Sequence, residues 1–171
     1  MDRIGKYASA GDIIQIAQEL HDAQMHWYYY SDSRAKGELK YNDIEASINN
    51  PGEVTCCATY VASVVYLAGY VTEDEINGIA YNGCDGLYNL LANKQEGKWM
   101  KITSSADLEP GDIVFMREHG ITTWDWDHTQ IYAGDGTWYN AGGSTSIREP
   151  APRSSKYWES AWDCWIALRP I

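Results

Sequence analysis

The 171 residues carry 13 Lys and Arg against 24 Asp and Glu, a formal charge of -11. That balance argues against a nucleic-acid partner, because phosphate binding needs clusters of Lys and Arg. A hydrophobic content of 44% suits one domain with a substantial core, and no apolar run reaches membrane-spanning length.

Residues 12 to 30 predict a first helix. Asp12 suits the N-cap, and Ile13, Ile16, Ala17, Leu20 and Trp27 keep helical spacing. The run Trp27-Tyr28-Tyr29-Tyr30 offers more aromatic surface than one helix face buries; packing on the next helix is favoured, with a groove wall as the alternative. Residues 31 to 53 are polar and turn-rich and read as a loop that delivers the chain to the next element.

That element is the stretch around which the chain is organised. From Cys57 onward, Val61, Val64, Val65 and Ala68 form one helical stripe that Gly69 ends, while Cys56 aligns with Tyr60, Ser63 and Leu67. A thiol in the first turn of a helix meets unpaired N–H groups and the positive end of the dipole, which favour the nucleophilic thiolate. Thr72-x-x-Glu75 then fits a capping box, and Asp85 suits the cap of a second short helix through Leu87, Leu90 and Leu91. Both helices are expected to cover a sheet edge, with no chemistry evident in them.

Leu108-Glu109-Pro110-Gly111-Asp112 reads as a turn leading into a buried strand, Ile113 to Met116. In the loop that follows, an extended chain would put Trp124 and Trp126 on the face of His128. They would serve there either as an apolar wall or as a plug at the end of the sheet. Asp125 and Asp127 suit a cationic amine, and His119, beside Gly120, is expected to face solvent.

His128-Thr129-Gln130-Ile131-Tyr132-Ala133 and Thr137-Trp138-Tyr139-Asn140-Ala141 predict a hairpin. A three-residue loop, Gly134 to Gly136, sets Ala133 opposite Thr137 and Gln130 opposite Asn140, so that His128 is Asn140's diagonal neighbour. A two-residue loop would turn Asn140 to the other face. The last strand alternates Trp162, Cys164, Ile166 and Leu168 with Asp163, Trp165 and Ala167. Strands following a helical half predict an α+β domain, a small antiparallel sheet packed against the helices.

Singly, Cys57 fits a core residue, His128 an edge histidine and Asn140 a strand-end residue. Together they fit a Cys-His-Asn triad, in which a held imidazole activates the thiol. The four cysteines, Cys56, Cys57, Cys84 and Cys164, show neither the spacing of a structural zinc site nor a disulfide scaffold. A Cys84 to Cys164 bridge stays open, although Cys164 reads more simply as core strand.

Cys57-Ala-Thr-Tyr-Val, Leu108-Glu-Pro-Gly-Asp-Ile-Val-Phe115, His128-Thr-Gln-Ile-Tyr-Ala-Gly134 and Asn140 follow one another in an order and spacing that resembles the NlpC-type family of papain-like cysteine peptidases. The resemblance covers roughly residues 52 to 142. It implies a papain-like fold, hydrolysis of amide bonds in peptidoglycan stem peptides by Cys57, His128 and Asn140, and no metal or organic cofactor. Tyr41, in the loop bordering the cleft, joins Trp124, Trp126 and Asp127 as candidates for substrate contact.

The family usually has Asp before the nucleophile and Ser after it; here Cys56 and Ala58 stand there, which puts the cleavage site within the stem in question. The third catalytic position is often His in the family, and Asn140 is a permitted variation.

The expected organisation is a single peptidase domain over residues 1–171: a helical and loop lead-in at 1–50, a catalytic core at 52–142 and closing strands at 143–171. The first ten residues lack the apolar stretch of a signal peptide, so access to the cell wall is expected by another export route, by phage release or as part of a longer chain. The net charge would not draw the protein to an anionic wall. Two other functions on the same scaffold remain open: a glycopeptide-binding module without turnover, and an amidase or acyltransferase with another substrate.

Overall fold

The computed structural model describes residues 13–22, 57–79, 83–118, 126–141, 147–148 and 162–171. Trp27 to Tyr30, the loop with Tyr41, Cys56, His119, Trp124 and Asp125 lie outside the described residues, as do the side chains of Asn140 and Cys164.

Among the described residues, four α-helices come first: α1 (Ile13–Asp22), α2 (Cys57–Leu67), α3 (Glu73–Asn77) and α4 (Gly83–Tyr88), which runs on as a π-helical stretch, Asn89–Lys94. None is long and apolar enough to cross a membrane. Every α2 residue except Tyr66 is buried, so the helix is enclosed on all sides instead of showing one buried stripe. Ser63, buried on this helix, donates its hydroxyl to the Thr59 carbonyl at 2.7 Å. Gly69, at φ 82°, ends the helix: its N–H donates to the Tyr66 carbonyl, and that of Tyr70 to the Val65 carbonyl. This is the Schellman closure that the glycine predicts.

The expected capping box forms, with the Glu75 N–H donating to Thr72 Oγ1 and the Thr72 N–H to the Glu75 carboxylate. Asp85 does not cap a helix. α4 starts two residues earlier, at Gly83, and the Asp85 carboxylate instead accepts from the Trp126 N–H at 2.7 Å, tying α4 to the approach of the hairpin.

Six strands form one antiparallel sheet: β1 (Trp99–Ile102), β2 (Ile113–Glu118), β3 (His128–Gly134), β4 (Thr137–Ala141), β5 (Ile147–Arg148) and β6 (Trp162–Pro170), in the order β1-β6-β2-β3-β4-β5. The C-terminal strand therefore closes the sheet from within, between β1 and β2. Ile113, Phe115, Ile131, Tyr139 and Leu168 face the helices and share their core. Val114, Met116, Trp138 and Ala167 form a second apolar cluster on the opposite face. The α+β class and the helix-on-sheet arrangement are as expected.

The hairpin differs in one detail. Gly134, not Ala133, pairs with Thr137, and the turn is the two residues Asp135 and Gly136, both left-handed at φ 50° and 70°. Ala133 is the extra residue of a β-bulge, which cancels the change of face that a two-residue turn would cause. The pairs Ile131–Tyr139 and Tyr132–Trp138 keep the expected register.

Candidate active site

Cys57 is the first residue of α2, where the helix meets β3, and it is 6% exposed. Its sulfur lies 3.7 Å from that of Cys84, and both thiols are free. The backbone N–H groups of Ala58 and Thr129 are directed at it and pull its pKa down, as expected at a helix start. They are outweighed. The hydrogen bond with Cys84, then burial, then the charge that Cys84 would carry push the Cys57 pKa well above the ordinary thiol value. The preference for the thiolate expected at a helix start is therefore opposed here, because the sulfur of Cys84 lies against that of Cys57.

His128 is the first residue of β3 and half-buried. It pairs with Met116, whereas Thr129 pairs with Phe115, so strand alternation puts the imidazole on the Met116 face and Thr129 on the helix face. Its Nε2 lies 3.3 Å from Gln130 Oε1 on that face. The fold thus brings the sulfur to the backbone of Thr129, next to His128, while the imidazole is engaged by Gln130. Asn140 lies on β4, backbone-paired with Arg148.

Trp126 packs in the helix-side core, its ring 5.3 Å from that of Tyr88 and 6.4 Å from that of Phe115. It stands on Phe115's side of the sheet. Asp127 is exposed, and its N–H donates to the Met116 carbonyl at 2.9 Å.

The Pro110-Gly111-Asp112 turn is tied to the same strand: the Gly111 N–H donates to the Tyr132 carbonyl and the Tyr132 N–H to that of Asp112. Asp112, 1% exposed, accepts from Arg169 Nε at 2.7 Å and Nη2 at 2.8 Å, and from the Glu109 N–H at 2.8 Å. Two of the sequence blocks therefore buttress each other. The sequence reading gave Thr129, Gln130 and Cys84 no part in the site; the packing of α2, α4 and β3 brings them to it.

Compared with known proteins, the sequence matches no protein family and no curated protein. The structure does find likenesses. A protein from Staphylococcus aureus described as similar to a lipoprotein of the NLP/P60 family superposes with a TM-score of 0.53 over 95% of this chain, at 17% identity. The fold is NlpC/P60-like. This chain spans 43% of the staphylococcal chain. At that identity it speaks for the fold alone.

Proposed function

We propose that the chain is a cysteine peptidase that hydrolyses amide bonds in peptidoglycan stem peptides, with Cys57 as nucleophile, His128 as acid and base, and Asn140 as the group that orients the imidazole. The observation that carries this reading is the seat of the Cys57 sulfur, at the first turn of the central helix and against the backbone of Thr129, one residue from His128.

In the proposed reaction the imidazole leaves Gln130 on the Met116 face and swings around the start of its strand to the sulfur on the helix face once substrate is bound. Catalytic hydrogen bonds commonly tighten only in such complexes. The Cys57 thiol gives its proton to His128 and attacks the peptide carbonyl carbon. The oxyanion forms beside the helix-start N–H of Cys57. His128 then protonates the leaving amine as the C–N bond breaks, leaving a thioester; water, deprotonated by His128, releases the acid and regenerates the thiol. Asp127, exposed beside the base, is the proposed contact for a substrate amine, with Tyr41 and Trp124 as further candidates and Trp126 supporting from the core. The proposed site of action is the cell wall.

A second reading, a glycopeptide-binding module without turnover, is favoured by the neutral thiol beside Cys84 and by Cys56 and Ala58 flanking Cys57. Incubation of purified peptidoglycan with the protein and with Cys57→Ala and Cys56→Ala variants, followed by mass spectrometry of released peptides, separates the two. The peptidase reading expects new peptide ends from the wild type and Cys56→Ala, and none from Cys57→Ala. Binding to the wall without release of peptides by the wild type would favour the second reading.

A further inference from the structure

We propose that Cys57 and Cys84 form an oxidisable dithiol, a modification site at which a reversible disulfide occupies the sulfur that the proposed hydrolysis requires. The bond itself does not depend on the peptidase reading; only its consequence, loss of hydrolysis, rests on it.

The two sulfurs come from different helices that pack together, the first residue of α2 and the second of α4. They are 3.7 Å apart. A disulfide holds sulfurs about 2.05 Å apart, so an approach of roughly 1.7 Å, shared between two side chains, closes the bond. Both residues are mostly buried, at 6% and 7% exposure, so the site admits a small oxidant and excludes a large one. The sulfurs are also not equivalent. The N–H groups of Thr129 and Ala58 point at Cys57, but Cys84 and burial oppose its ionisation, so oxidation is expected to quicken as pH rises.

With a hydroperoxide as oxidant, the Cys57 thiol first loses its proton to solvent; the thiolate attacks the distal peroxide oxygen, the O–O bond breaks, and Cys57 becomes a sulfenic acid as the leaving oxygen takes a proton and departs as water or an alcohol. Cys84, its proton lost to solvent, attacks the sulfenic sulfur; the S–O bond breaks, water leaves and the S–S bond forms. Two electrons pass from the thiol pair to the peroxide. A dithiol reductant reverses the change by exchange, and capture by Cys84 spares Cys57 the irreversible sulfinic acid.

The test treats the full chain with hydrogen peroxide, unfolds it with excess iodoacetamide, and maps its peptides without reduction. The expected result is a linked Cys57–Cys84 peptide that disappears on treatment with dithiothreitol, and, in Cys84→Ser, accumulation of the Cys57 sulfinic acid instead. Recovery of both residues as separate alkylated thiols, or linkage of Cys57 to its neighbour Cys56 or to Cys164, would overturn the proposal. Peptidoglycan digestion before and after oxidation is expected to show activity lost and then regained with the reductant. A mapped bond in a protein that digests nothing when reduced would remove the peptidase reading and leave the dithiol; digestion without the bond would do the reverse.

Discussion

The sulfur of Cys57 and the backbone N–H of Thr129 meet where the central helix abuts β3, so the proposed nucleophile is held one residue from the proposed base. A thiol so held feels two opposed influences, and the neighbouring Cys84 decides the outcome.

Because Cys84 and burial raise the Cys57 pKa, alkylation of Cys57 by iodoacetamide is expected to accelerate with a midpoint above the ordinary thiol range of about 8.5. Cys84→Ala removes the largest cause and is expected to move that midpoint down; an unchanged midpoint by mass-spectrometric rate measurement would contradict this. The sign for stability follows: a fold that favours the neutral thiol keeps that contribution below the unfolded-state pKa and loses it as pH rises through the raised one. Unfolding midpoints are therefore expected to fall at alkaline pH, and to fall less in Cys57→Ala.

Tyr60 is fully buried on α2 and its hydroxyl donates to the Ala17 carbonyl of α1 at 3.1 Å. Burial, with the charge of a nearby Tyr139 phenolate, holds its own phenol well above the ordinary range, so it stays a donor. Tyr60→Phe removes this bond between the two helices and is expected to cost about 1 kcal/mol in urea unfolding, while the Ala17 carbonyl keeps its place in α1. No measurable loss would show that the bond contributes nothing to stability.

Asp112 accepts two hydrogen bonds from Arg169 and one from the turn, and Arg169 Nη2 also donates to the Asp107 carbonyl at 2.6 Å. The Arg169 side chain is 19% exposed, so solvent replaces little of what Asp112→Ala removes. That variant is expected to lose about 2–4 kcal/mol. Asp112→Asn, which can still accept from the Glu109 N–H, should lose less by the same unfolding measurement.

Gly134 sits at φ 93°, and a Cβ added there would lie 3.2 Å from Pro110 Cγ. Gly134→Ala is expected to cost about 1–2 kcal/mol from the left-handed backbone alone, and more if Pro110 cannot yield. Asp135→Asn, at φ 50° in the same turn, is the control: Asn also tolerates that conformation, and its midpoint should stay near the wild type's.

Much of the architecture was legible in the chain. The helix from Cys57 to Gly69, the capping box at Thr72, the strand after Asp112 and the inward alternation of Ile166 and Leu168 all follow from local chemistry: periodicity, a cap or a left-handed glycine. The hairpin register was legible too, although by a route the residues do not announce. A bulge at Ala133 and a two-residue turn add to the same displacement as a three-residue loop, and nothing in alternating sequence separates the two.

Other features belong to tertiary structure alone. That β6 lies between β1 and β2, that Trp126 joins Tyr88 and Phe115, and that Asp85 holds the Trp126 backbone depend on contacts far apart in the chain. The protonation of Cys57 is the sharpest case. Its place at a helix start, readable from the sequence, favours the thiolate; the sulfur of Cys84, 27 residues away in sequence and 3.7 Å away in space, together with burial reverses that preference. A local pattern fixes which groups a residue carries along its own backbone, whereas a pKa answers to every charge and void around it, and those are assembled only when helices and sheet close on one another.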